Sequence, residues 1–414
     1  MDIQFYRRGH WLFLGMYLFG LFSLVQIYGG WKVGYLRVFN VIFSQAIGIF
    51  VINIITYLAI VLLTKSIPNA LYLLLMTATQ ILVTIPWALI SNRIYLTAYP
   101  PRRVLMIYGD RPAMSLMRKI TSRTDRFTVA GKIPIHRGIE MIEKQIPKYE
   151  GVVICDIESH ERNQILKYCY EKNVRAYVLP KISDIIIRSC ESQHMFDTPM
   201  LMARNEGLTI EGKAAKRFED IVLALLLLIV FSPFMLLIAI AIKLEDGGSI
   251  IYRQERLTID RKRFYVYKFR SMQENAEHDG KARLAAAHDC RITKVGKVIR
   301  AMRFDELPQF VNILKGDMSV VGPRPERPEI AEEYENKIPE FAYRLKVKAG
   351  LTGYAQVYGK YNTTAYDKLK LDLMYIQNYS IALDLEIILK TIQTMFTRES
   401  TEGMEEGEDI ALGP

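Results

Sequence analysis

The chain has 414 residues, enough for two or three domains, and carries 54 Lys and Arg against 44 Asp and Glu for a net charge of +10. Half of it is hydrophobic while 24% is charged, so the apolar residues must be concentrated in segments. There is no basic recognition helix and no Cys/His finger spacing, which excludes nucleic acid as a partner; the four cysteines and six histidines form neither C-x-x-C nor H-E-x-x-H, which excludes a zinc site and suits reduced cytoplasmic thiols.

The apolar residues gather in the first quarter. Trp11 to Tyr28, Val38 to Leu63 and Ala70 to Ile90 each approach the roughly 20 residues that cross a bilayer as helix, predicting three transmembrane helices within residues 1–95. Several spans argue against a cleaved signal peptide. Lys32, Arg37, Arg93, Arg102 and Arg103 on one side, against Arg7, Arg8 and Lys65 on the other, put the N-terminus outside and everything after Ile90 in the cytoplasm. The positive charge fits contact with anionic membrane lipid.

Residues 100–190 alternate strand-like and helical runs: Val104 to Tyr108, Met114 to Ile120, Phe127 to Ile133, Val152 to Cys155, Asn163 to Tyr170 and Ala176 to Leu179. This predicts a small Rossmann-like α/β domain with a parallel sheet. In the turn after the first strand, Arg111 and Met114 stand where a dinucleotide fingerprint requires its second and third glycines, so no nicotinamide site is expected.

Between residues 216 and 243 lies a further apolar run, Ile221 to Ile242, about 33 Å long as straight helix. Ser232 and Pro233 interrupt it, and an interior proline removes a backbone bond and clashes one turn back. Lys216 and Arg217 before it and Lys243, Arg253 and Arg256 after it make both ends cytoplasmic. The expected solution is a re-entrant helix that breaks at Ser232-Pro233, the Ser232 hydroxyl bonding a carbonyl freed by the proline. Strand-like pieces follow at Ile250 to Arg256 and Phe264 to Tyr267, and then Lys268 and Arg270, cations able to bind a polyanion.

The stretch Arg303 to Pro325 holds the chemistry. Asp305 and Glu306 are adjacent carboxylates, which repel unless a cation resolves the conflict, and Pro308 in a first turn places them at or near a helix N-terminus. Pro323 and Pro325 stiffen the loop around Arg324, fixing its guanidinium as a phosphate clamp requires. Carboxylates for a divalent ion plus a fixed arginine suggest phosphoryl transfer. The apolar residues Phe310, Val311, Ile313 and Leu314 suit either the core or a membrane interface.

Residues 213–398 closely resemble the bacterial sugar transferases, the monotopic polyprenyl-phosphate phosphoglycosyl transferases. The resemblance is carried by Lys216-Arg217 with Asp220, Ser232-Pro233, Gln254-Glu255-Arg256, Lys268 to Met272, Asp289 with Arg291-Ile292-Thr293, Asp305 to Gln309, Gly322 to Pro325, Gly350 to Gly353 and Ala355-Gln356-Val357. It implies a mostly helical α+β catalytic domain with a re-entrant helix, preceded by transmembrane helices and a Rossmann-like domain. Such long forms usually have four helices, and this chain would lack the first. The resemblance also implies that Asp305 is a nucleophile and Glu306 a Mg2+ ligand, with Lys268, Arg270, Arg300, Pro323, Arg324 and Pro325 at the substrate. The implied reaction moves a hexose 1-phosphate from a UDP-sugar to undecaprenyl phosphate at the bacterial inner membrane, in exopolysaccharide, capsule or O-antigen assembly. Leu257-Thr258 and Cys290 depart from the family's usual Val-Gly and Pro, touching loop geometry and no charged participant.

A carboxylate nucleophile gives an acyl phosphate and splits one difficult displacement into two. The alternative is a non-catalytic membrane scaffold or nucleotide-sugar-binding regulator, against which the intact Asp305, Glu306 and Arg324 argue. A transporter is excluded because the spans lack intramembrane charges. No motif selects the sugar or fixes the oligomeric state, a homo-oligomer included. The acidic, glycine-bearing residues 399–414 read as a disordered tail.

Overall fold

The computed structural model describes residues 9–109, 117, 120, 124–203, 207–273, 291–359 and 363–395. The chain divides into two compact units, Met1–Pro180 and Lys181–Pro414. Arg7, Arg8, Asp110 to Pro112, most of 114–120, Asp289, Cys290 and the acidic tail lie outside the described residues.

The first unit opens with the helices Gly9–Tyr28, Val38–Thr64 and Leu71–Ala98, each long and apolar enough to cross a membrane, where the sequence predicts three. Their outer faces show large apolar side chains such as Phe19 and Leu62, a surface suited to lipid. Inside, Tyr17 donates to Asn53 Oδ1 at 2.9 Å and accepts from Gln80 at 2.7 Å, while Asn53 Nδ2 donates to Thr77 and Gln80 at 2.8 and 2.9 Å. The loop joining the first two helices packs Tyr35 against Tyr95, and the Arg126 guanidinium lies 4.3 Å from the Tyr35 ring centroid. Lys32 and Arg37 therefore sit at the end of the bundle from which the sheet domain continues, as the pattern of flanking charges expects.

The sheet comprises β1 (Arg102–Tyr108), β2 (Phe127–Pro134), β3 (Gly151–Cys155) and β4 (Arg175–Val178) in the order β2-β1-β3-β4, all parallel. Every residue of β3 is buried, as expected for a central strand covered on both faces. The helix Ser159–Glu171 covers the expected 163–170, whereas the short helix Ile139–Gln145 has too few turns for its periodicity to stand out in the sequence.

The second unit begins with a short helix, Ile182–Arg188, and an exposed hairpin of β5 (Glu191–Met195) and β6 (Thr198–Met202). The helix Ile210–Asp246 follows, capped by Thr209, whose hydroxyl accepts from the Gly212 amide. It is helical throughout, so the break expected at Ser232-Pro233 does not interrupt the secondary structure. Pro233 cannot donate to the Ile229 carbonyl one turn back; the Ser232 hydroxyl donates to it instead, at 2.9 Å. Both ends of this helix rest on the same body. Near its start Arg217 donates to the Ile313 and Leu314 carbonyls at 2.6 and 2.7 Å, and Lys216 pairs with Asp384. Near its end Ile242 is buried in the core, Glu245 accepts from the Lys294 amide at 2.7 Å, and Asp246 pairs with Arg270. Lys216 and Arg217 thus have structural partners in addition to marking a flank.

An antiparallel hairpin of β7 (Ile251–Leu257) and β8 (Arg263–Phe269) comes next, matching the two strand-like pieces in the sequence. The parallel pair β9 (Ser319–Val321) and β10 (Gly350–Thr352) completes the strands described. The core around them gathers Phe264, Val266, Phe269, Phe310, Ile313, Met318, Phe341 and Leu373.

Candidate active site

The two carboxylates sit on the single turn Phe304–Glu306, immediately ahead of the helix Gln309–Lys315, with Pro308 as the residue before its first turn. This is the position the sequence expects from Pro308. Arg303 opens the turn with φ +55°, a left-handed conformation that a non-glycine residue holds only when its surroundings demand it. Phe310 and Ile313 are buried and Leu314 packs against the core, so the core reading holds for them; Val311 is exposed.

Asn312 ties this helix to the hairpin. It is fully buried, accepts from the Tyr267 amide at 3.0 Å and donates to the Tyr265 carbonyl at 2.8 Å, pairing with β8 as a neighbouring strand would. Lys268, the next residue along β8, consequently reaches the dyad. Its Nζ donates to Glu306 Oε1 at 3.0 Å, and Arg324 Nη2 donates to the same oxygen at 3.1 Å. Arg303 Nη1 lies 3.9 Å from Glu306 Oε2.

These contacts separate the two acids. Burial pushes the Glu306 carboxyl up, but Lys268, Arg324 and Arg303 outweigh it and hold Glu306 well below the usual carboxylate range. Burial, then the Glu306 charge, push Asp305 above that range, with Lys268, Arg300 and Arg303 pulling partly back. Glu306 is thus a fixed anion, whereas Asp305 makes no side-chain hydrogen bond among the described residues and has the more basic carboxylate.

Arg324 is held by its backbone. Pro323 accepts from the Gly350 amide at 2.9 Å, Pro325 accepts from Arg256 at 3.2 Å, and the Arg324 carbonyl accepts from Arg344 Nη2 at 2.9 Å. Arg344 is 2% exposed and also pairs with Glu326 at 3.3 Å and Asp372 at 2.8 Å; Lys368 closes the network on Glu326. Gly350 and Gly353 let two backbones touch: a Cβ on Gly353 would lie 2.1 Å from the Gly322 oxygen, and one on Gly350 would lie 2.1 Å from the Gly322 nitrogen.

Of the residues singled out in the sequence, Asp305, Glu306, Lys268, Arg324, Pro323 and Pro325 come together, and Arg300 is close enough to act on Asp305. Arg270 is 6% exposed and pairs with Asp246 at the end of the long helix, with no hydrogen bond or ion pair to Asp305 or Glu306 among the described residues. Ser232 and Pro233 lie between Phe231 and Phe234, whose rings stand 6.1 and 6.4 Å from that of Phe304. Sequence reasoning missed Arg303, Asn312 and the Glu326–Arg344–Asp372–Lys368 network. For Arg303 the signal was present, a cation three residues before Glu306; the network joins positions up to 46 residues apart and leaves no local pattern. Thr258, one of the departures from the family pattern, is buried and uses its hydroxyl to join the Asp317 carbonyl to the Ala349 amide.

Residues 211–398 match the model of the bacterial sugar transferases. Exopolysaccharide production protein ExoY of Rhizobium meliloti is 36% identical over 195 residues, 44% of this chain and 85% of that protein. The chain belongs to the bacterial sugar transferase family. A Caulobacter vibrioides family member, a UDP-glucose:undecaprenyl-phosphate glucose-1-phosphate transferase, is 40% identical over 45% of this chain and 71% of its own length. A UDP-N-acetylgalactosamine-undecaprenyl-phosphate N-acetylgalactosaminephosphotransferase from Aeromonas hydrophila is 38% identical over 60% of each chain. Matches thus reach family members whose names carry different sugars, and the Aeromonas match spans three-fifths of that relative.

Proposed function

We propose that this sugar transferase moves a hexose 1-phosphate from a UDP-sugar to undecaprenyl phosphate through a covalent intermediate on Asp305. The observation that carries the reading is the division of labour in the dyad: three cations hold Glu306 while Asp305 stands beside them with a raised pKa and no hydrogen-bond partner among the described residues. The donor and acceptor classes follow the names of the relatives.

An Asp305 oxygen attacks the phosphorus bonded to the sugar. The bond from that phosphorus to the bridging oxygen breaks, and its electron pair leaves with the nucleoside monophosphate. A lipid phosphate oxygen then attacks the same phosphorus, releasing Asp305 as carboxylate. Lys268, Arg324 and Arg303 neutralise the phosphoryl oxygens in both steps. The residues fit magnesium: Glu306 Oε2, 3.9 Å from Arg303 Nη1, and Asp305 offer one or two carboxylate oxygens, the usual protein share beside substrate phosphates. That ion would supply further charge neutralisation.

The long helix returns to the cytoplasmic face in this reading. Support comes from the attachment of both its ends to one catalytic unit and from Pro233 at its middle. The catalytic unit then lies at the cytoplasmic surface of the inner membrane, where a soluble donor meets a lipid acceptor.

Incubation of purified protein with UDP-sugars and magnesium, followed by rapid quench and mass spectrometry, tests the mechanism. The expected result is a hexose-phosphate adduct on the Asp305 peptide before lipid is added, absent in Asp305→Asn. Adduct formation should fall as pH drops through the raised Asp305 pKa, because the attacking form is the carboxylate. Release of nucleoside monophosphate only when both substrates are present would replace the covalent route with direct transfer.

A further inference from the structure

The motif Gln254-Glu255-Arg256 has no role in the mechanism so far. In an antiparallel pair, residues directly opposite share a face. Tyr252 stands opposite Lys268, Gln254 opposite Val266 and Arg256 opposite Phe264. Lys268 reaches Glu306, and Val266 and Phe264 are core residues, so Tyr252, Gln254 and Arg256 line the face of the hairpin that looks toward the dyad.

A chain of hydrogen bonds runs along that face. Gln254 Nε2 donates to the Tyr252 hydroxyl at 3.2 Å, Arg256 Nη2 donates to Gln254 Oε1 at 2.5 Å, and Arg256 Nη1 donates to the Pro325 carbonyl at 3.2 Å. The guanidinium of Arg256 is thereby fixed beside Arg324. It is half-buried, yet no carboxylate lies within ion-pair distance of it among the described residues; Glu326, the nearest attraction, is already shared by Arg344 and Lys368. Burial, with help from Arg324 and Arg327, pushes the Arg256 pKa down to about 10. A rigid guanidinium held among cations without its own counter-ion is stabilised when an anion arrives.

We infer that Arg256 binds the phosphate standing in line with Asp305, and that the leaving nucleotide and the entering lipid phosphate occupy this one subsite in turn. The inference rests on the double displacement proposed above. In-line transfer places nucleophile and leaving group on opposite sides of phosphorus. In the first step Asp305 enters and the nucleotide phosphate leaves opposite it; in the second Asp305 leaves, so the lipid phosphate must enter from where the nucleotide departed. Lys268 and Arg324 contact Glu306, and Arg256, held on the carbonyl of the residue after Arg324, extends this set of cations beyond the dyad.

The test uses the full chain in nanodiscs, with Arg256→Gln and the charge-retaining Arg256→Lys. UMP binding by calorimetry needs no turnover, and steady-state KM values for the UDP-sugar and undecaprenyl phosphate read each substrate separately. Arg256→Gln is expected to weaken UMP binding and raise both KM values about tenfold, with Arg256→Lys recovering most of each. A rise for one substrate alone would overturn the shared subsite. Unchanged UMP binding in a folded Arg256→Gln protein, or equal losses in both variants with a lowered Tm, would make Arg256 a structural strut. If wild type binds UMP through Arg256 but forms no adduct, the covalent mechanism fails while the phosphate site stands.

Discussion

Glu326→Gln probes the support behind Arg324. The Glu326 carboxylate, 14% exposed, accepts from Arg344 at 3.3 Å and from Lys368. Burial alone would raise its pKa, but Lys368 and Arg344 outweigh that and bring it from 4.5 to about 2. The drop corresponds to a ceiling of about 3 kcal/mol favouring the charged form in the folded protein. Because the folded value lies below the unfolded one, this stabilisation is present above pH 4.5 and is lost as pH falls toward 2, with about 2 kcal/mol gone by pH 3. Thermal unfolding of wild type and Glu326→Gln in the same nanodiscs should therefore differ by about 5–10 °C at pH 7 and by less than half as much at pH 3. Turnover should fall with it, since Arg344 would no longer be braced on both sides while it holds the Arg324 carbonyl. An equal Tm difference at both pH values would refute the electrostatic account, and no difference at pH 7 would remove Glu326 from the stability of the site.

Gly353→Ala should abolish activity and lower Tm, because its Cβ would lie 2.1 Å from the Gly322 oxygen and force β10 off the loop carrying Arg324; near-wild-type turnover would show that the loop can move aside. For the long helix, cysteines introduced at Ala214 and Ser249 in a cysteine-free chain should both resist an impermeant maleimide in intact cells, and labelling of either from outside would restore a full span.

The parallel sheet was legible because its four strands are short apolar runs separated by helix-length segments, and the structure places them within two residues of expectation. Asp305, Glu306 and Arg324 were legible because adjacent acids and a proline-bracketed arginine are local and chemically conspicuous. Arg270 shows the limit of such reasoning. Two residues on from Lys268 it looks like a second phosphate ligand on the same strand face, but β8 ends at Phe269 and Asp246 claims the guanidinium. Asn312 and Arg344 were invisible for another reason: each acts on backbone carbonyls or amides brought close by folding, and a backbone partner has no identity in the sequence. At Ser232-Pro233 the residues announced a lost hydrogen bond correctly, while the replacement bond from Ser232 to Ile229 keeps the helix intact.

The polar cluster of the N-terminal bundle bears on the order of events during synthesis. Tyr17, Asn53, Thr77 and Gln80 come from three successive helices and satisfy one another's hydrogen bonds. All lie in the first quarter of the chain, so these four residues have one another as partners once residue 98 has been made. At about 5–20 residues per second, ribosomes need on the order of tens of seconds more to finish the protein. The bundle can lock its rotation and register in that interval, before residues 181–414 have been completed.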